Sequence, residues 1–172
     1  MAGVRRVGMA FVAALVALAP IGAMSWFSAT PSGALPVCTD SWKVAASGSW
    51  SVGANWTNNV PPNGTDVACI DLAGTYTVDL TAGASVNTLE LGGGATGTQT
   101  LSVDGSAGNS DLSLAAASTV SSNGILAVVP ANAGFADVSG AGGLTVASGG
   151  TLATSAGPNP QPAYIETPVT GP

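Results

Sequence analysis

From residue 66 to residue 155 the chain is written in short runs where apolar and small polar residues alternate: Val67 to Leu72, Tyr76 to Leu80, Val86 to Leu91, Thr100 to Val103, Leu112 to Leu114, Ile125 to Val129, Leu144 to Val146 and Thr151 to Ala153. A period of two marks strands with one buried face. The corners between them are Gly92-Gly93-Gly94, Asp104-Gly105, Ser122-Asn123-Gly124, Gly140-Ala141-Gly142-Gly143 and Gly149-Gly150, where glycine supplies the positive φ values of tight turns. Many short strands with glycine corners fit either an antiparallel sandwich or a parallel β-solenoid. A sandwich core sets bulky side chains against each other across two sheets, whereas this region offers Val, Leu, Ile and Ala with only Tyr76 and Phe135 as aromatics. A solenoid needs only like residues stacked over like in successive coils. The neighbouring runs 143–149 and 150–155 show such a unit, Leu-x-Val or Gly-x-Leu, then small polar residues, then Gly. At a typical solenoid period of roughly 20–25 residues, residues 66–155 make about four coils.

Charge is scarce. Charged residues are 7% of the 172-residue chain, against roughly 25% in ordinary soluble domains. Arg5 and Arg6 precede an apolar run from Met9 to Ala19 that Pro20 ends, the form of a secretory signal peptide with cleavage after Ala23 or Ala34. An uncleaved anchor extending to Phe27 is the alternative, although the run is short of the ~20 apolar residues of a membrane span. Removal of the signal leaves Lys43 as the one basic side chain against nine carboxylates. Nucleic acid is therefore excluded as a partner, because phosphate binding draws on clustered Lys and Arg. Two cysteines in an exported chain, Cys38 and Cys69, are read as a disulfide. Neither a Cys-x-x-Cys spacing nor any histidine supports a redox pair or a metal site.

The segment that opens the repeat region has a specific form. Gly48-Ser49-Trp50 and Asn55-Trp56 lead to Pro61-Pro62-Asn63-Gly64 and Asp66-Val67-Ala68-Cys69-Ile70, then to Thr77-Val78-Asp79-Leu80 and Val86-Asn87-Thr88-Leu89-Glu90-Leu91-Gly92. This resembles the opening of bacterial autotransporter-like surface proteins of the pectin-lyase-like β-helix kind. The resemblance covers residues 47–92 and, in style only, the coils to Ser155. It implies right-handed parallel coils. No segment resembles a translocator barrel, a sorting motif or a terminal anchor, so it implies no export route.

The chemistry is sparse. Without histidine there is no Ser/His/Asp or Cys/His arrangement, and a polysaccharide lyase would need Lys43 to serve as both base and cation clamp. A glycosidase needs two carboxylates across the scissile bond; Asp66 and Asp71 point to opposite faces of one strand, while Asp71 with Asp79, or Asp79 with Glu90, are the facing candidates. Residues 104–111 collect oxygen ligands but lack the order of calcium loops, so an ordinary Asp-Gly turn is expected there. Trp42, Trp50 and Trp56 are either a hydrophobic plug for the open end of the core or a platform for sugar rings. Asn55-Trp56-Thr57 and Asn63-Gly64-Thr65 match the glycosylation sequon.

The expected protein is all-β, a short right-handed parallel β-solenoid with a Trp-rich N-terminal cap. Residues 1–34 are the signal peptide, 35–65 the cap, 66–156 the coils and 157–172 a Pro-rich tail or linker. Its expected role is that of a secreted or cell-surface structural or adhesive module, without catalysis, cofactor or metal. Expected partners are an extracellular polymer, a glycan, a cell surface or another copy of itself, and no membrane span remains once the signal is removed. The alternatives are a carbohydrate-binding module using Trp42, Trp50 and Trp56, and the leading part of a larger secreted enzyme.

Overall fold

The structure, a computed structural model, describes residues 36–156 and 161–172. The signal-peptide reading of residues 1–34 lies outside the described residues. Strands follow in the order β1 (Asp40–Ser41), β2 (Gly48–Ser49), β3 (Val67–Ile70), β4 (Tyr76–Leu80), β5 (Ala84–Val86), β6 (Thr88–Leu91), β7 (Gln99–Asp104) and β8 (Ser110–Leu114). They continue as β9 (Ser118–Val120), β10 (Gly124–Val129), β11 (Ala136–Ser139), β12 (Leu144–Val146), β13 (Thr151–Thr154), β14 (Ala163–Ile165) and β15 (Val169–Thr170). Single 3-10 turns span Gly53–Asn55 and Gly105–Ala107.

From β3 onward every third strand returns to the same sheet. A six-stranded sheet runs β1-β3-β6-β9-β12-β15, a five-stranded sheet β2-β4-β7-β10-β13 and a four-stranded sheet β5-β8-β11-β14. All pairings between these strands are parallel. This is a three-faced parallel β-solenoid with four complete coils. The partial coil of β1 and β2 precedes them and β15 follows.

The core is built from stacked columns. Val78, Leu101, Leu126 and Leu152 lie over one another on the five-stranded face. Ile70, Leu91, Val120 and Val146 do so on the six-stranded face, and Ala84, Leu112, Val138 and Ile165 on the third. Leu101, Leu126, Leu91 and Leu112 are fully buried, each contributing about 1.5–3 kcal/mol of burial. Because parallel strands stack about 4.8 Å apart, no bulky side chain is needed to fill the interior. The backbone is the tighter constraint: a Cβ on Gly92, which holds φ +86°, would lie 2.4 Å from the Gly124 nitrogen of the next coil.

Two segment boundaries differ from those expected. Residues 35–65 hold β1 and β2, so the cap begins the ladders as well as closing them. Residues 163–165 and 169–170, in the segment read from its prolines as a linker, pair with β11 and β12. Pro162 and Pro168 stand immediately before β14 and β15, where a missing N–H removes no ladder bond within either strand.

Candidate functional site

At the N-terminal end the three tryptophans of the cap lock edge to face. The Trp42 and Trp56 ring centroids are 5.3 Å apart and those of Trp50 and Trp56 4.7 Å, while Trp42 stacks on Tyr76 at 6.4 Å. The Trp56 indole N–H donates to the Trp50 carbonyl at 2.8 Å. Trp42, Trp50 and Trp56 are 1%, 3% and 0% exposed, so the candidate glycan platform presents no open ring face. Burial of each apolar ring outweighs the gain from stacking a sugar in water, and the aromatic cluster packs as the plug. Gly48 lets it close, since a side chain there would meet Asn55 at 2.9 Å and the Trp42 ring at 3.4 Å.

Cys38 and Cys69 are joined, with Cα atoms 5.8 Å apart across a separation of 31 residues. The bond fixes the lead-in to β1 onto β3, since Cys38 shortly precedes Ser41, the register partner of Cys69. Asp40 is structural too: its Oδ1 accepts from the Thr57 hydroxyl at 2.8 Å and from the Asn58 N–H at 3.0 Å.

The carboxylates separate by face. Asp79, on β4 of the five-stranded sheet, and Glu90, on β6 of the six-stranded sheet, belong to different faces and form no catalytic pair. Asp79 neighbours Asp104 instead; burial, then the Asp104 charge, raises its pKa. Glu90 is raised chiefly by burial, with Asp71 adding and a Thr119 hydrogen bond opposing. Asp137 sits in register with Asp111, and burial followed by the charges of Asp111 and Glu166 raises it, against a backbone hydrogen bond at Val138. The Tyr76 hydroxyl is pushed up to about 12 by burial and by Asp71.

The loop at 104–111 is a turn of the expected kind. Asp104 accepts from the Ser106 N–H at 2.8 Å and the Ser106 hydroxyl at 2.9 Å, while Asp111 accepts from Ser139 of the next coil at 2.9 Å. Its two carboxylates thus serve different partners. Among the described residues no group of three or more His, Cys, Asp or Glu is placed to hold a metal ion.

One groove remains. It has a volume of about 370 Å³ and lies between the loop holding Pro61, Pro62, Asn63 and Gly64 and the β4–β5 corner from Leu80 to Ser85, with Trp50 against it. Asp66 holds the loop: its Oδ2 accepts from the Asn63 N–H at 2.9 Å, and the Asn63 Oδ1 in turn accepts the Thr65 hydroxyl at 2.8 Å. The corner is held by Ser110, whose hydroxyl donates to the Leu80 carbonyl at 2.8 Å. No charged side chain lines the groove. Sequence reasoning marked Pro61 to Gly64 as a turn and missed Thr81 and Ser85, because only coil register brings the corner opposite the loop. No family model, curated protein or solved structure matches this chain.

Proposed function

We propose that this is a non-catalytic structural or adhesive module of the autotransporter-like kind, secreted or displayed at a cell surface, that works by presenting flat repetitive faces to an extracellular polymer, glycan or cell surface. The observation that carries the reading is the outer surface of the five-stranded face. Thr77, Thr100, Ile125 and Thr151 form one column there, and Ser49, Asp79, Ser102, Ala127 and Ala153 form the next. Parallel pairing spaces such residues at about 4.8 Å, so the face offers small side chains at regular intervals on a rigid frame. The disulfide, and the lack among the described residues of a helix long and apolar enough to cross a membrane, are compatible with an extracellular protein. The absence of histidine from the sequence supports the non-catalytic part.

The test is co-sedimentation of the full chain with insoluble polymers, including cellulose, chitin and peptidoglycan. At least one should deplete the protein from solution, and Ser102→Arg, at the middle of the face, should lower retention about tenfold while leaving the circular dichroism unchanged. No retention on any polymer or whole-cell surface would overturn the reading.

A second reading, carbohydrate binding, is favoured by the uncharged groove rather than by the tryptophan cluster. Pro61 and Pro62 suit the apolar faces of a neutral sugar, and Asn63, Thr81 and Ser85 its hydroxyls. Ser85→Phe would fill the groove and abolish a soluble-glycan signal on an array without touching retention through the flat face.

A further inference from the structure

The two ends of the solenoid are finished differently. At the N-terminal end the outward backbone groups of the first coil are taken up by the cap. The Ser41 N–H donates to the Thr57 hydroxyl at 3.0 Å, the Thr57 N–H to the Ser41 carbonyl at 3.0 Å, and the Asn55 side chain to the Ser49 carbonyl at 3.1 Å. Asn58 donates to the Thr39 carbonyl at 3.0 Å. With the tryptophan plug behind them, these bonds occupy the outward edges of β1 and β2.

Among the described residues the last coil has no counterpart to this cap. Leu126, Val128 and Val138 of the third coil are fully buried, while Leu152 and Ile165, directly above them, are only partly covered and Val169 is 44% exposed. Of the three terminal strands, β14 and β15 are short and each is preceded by a proline. β13 has four residues, no proline and no charge, and among the described residues nothing pairs with its outer edge. Alternate residues of a parallel strand aim both backbone groups to the same side. Since the Ser155 N–H is bonded to Val128 of β10, Leu152 and Thr154 aim theirs at the open edge.

We propose that the C-terminal end of the solenoid docks onto the same end of a second copy, β13 against β13, around a two-fold axis. A head-to-tail stack would set β13 against β2, whose outward Ser49 carbonyl is already taken by Asn55. The symmetric pairing also satisfies the strand's own geometry. With Ala153 opposite its mate, Leu152 faces Thr154 of the other copy, so the residues that aim outward form the two hydrogen-bonded pairs of an antiparallel ladder. Leu152 and Thr154 stay on the inner face in both copies, and the two five-stranded sheets become one. Such an isologous contact closes at two subunits and makes no filament. It leaves the lateral faces free, so it stands or falls apart from the polymer-binding reading.

Sedimentation equilibrium of the full chain tests it. The unmodified chain should reach twice its 16.5 kDa mass as concentration rises. Thr154→Pro removes an outward donor without breaking a bond to β10 and should sediment as a monomer. Ala153→Lys, on the outer face, sets two ammonium groups against each other and should weaken pairing about tenfold at low salt, with recovery at high salt. Both variants should keep the circular dichroism of the parent, and Thr154→Pro, which lies outside the outer columns, should also keep its retention on any polymer that binds the parent. A parent chain that stays monomeric at every concentration, or dimers that persist unchanged in both variants, would overturn the proposal.

Discussion

At Gly92 the close stacking of coils becomes a demand on a single residue. The positive φ disfavours any side chain, and the Gly124 backbone 2.4 Å from a would-be Cβ leaves nothing flexible to yield. Gly92→Ala should therefore cost about 2–4 kcal/mol, read as a lower urea midpoint. Gly83 is the contrast, because a Cβ there meets nothing within 4 Å; Gly83→Ala should change stability by less than about 0.5 kcal/mol. Both glycines stand at corners, Gly92 after β6 and Gly83 between β4 and β5. What separates them is which backbone lies in the next coil, and that depends on register, which a period-two pattern does not encode.

Among the elements, the cap joins two devices that act on different states of the chain. Trp56 acts in the folded state: it is fully buried between Trp42 and Trp50 and donates to a backbone carbonyl. Trp56→Ala should lose about 3–5 kcal/mol, measured by chemical denaturation, and near-parent stability would return the cluster to the role of a binding platform. The disulfide restrains the unfolded chain. For the 31-residue separation the chain-entropy relation gives about 3–4 kcal/mol, so reduction should lower the melting temperature without changing the folded dichroism. Both devices were legible, since tryptophans before a run of small residues and paired cysteines carry their own physical reading. The close of the last coil, after β13, was not. β14 and β15 are three and two residues long, too short to show alternation, and the prolines around them carry the signal of a linker. Coil lengths also vary, from 21 residues between Val67 and Thr88 to 30 between Gly48 and Val78, which blurs any fixed period. The groove escaped for the same reason, its two walls meeting only once the first coil is closed.

Across the whole molecule, excess negative charge and stacked coils act together. The chain carries nine carboxylates against three basic side chains, and parallel stacking sets carboxylates into neighbouring rungs, as with Asp111 and Asp137. Asp79, Glu90 and Asp137 are all raised, burial being the first cause in each and a neighbouring carboxylate adding to it. A carboxyl whose pKa is higher in the folded state binds protons more readily folded than unfolded. Its contribution is thus favourable below its ordinary value, 3.8 for Asp and 4.5 for Glu, and is lost as pH rises through the folded value. Tyr76 has the same sign at the alkaline end, where stability should fall between its ordinary 10.0 and about 12. The melting temperature should therefore climb as pH is lowered from 7 toward 4, where many proteins begin to weaken. Differential scanning calorimetry across that range checks it, and Asp137→Asn should raise the melting temperature at pH 7 and flatten the slope. A melting temperature that falls steadily toward pH 4 would mean that the carboxylates are held by favourable partners, and that the acidic rungs stabilise the stack rather than strain it.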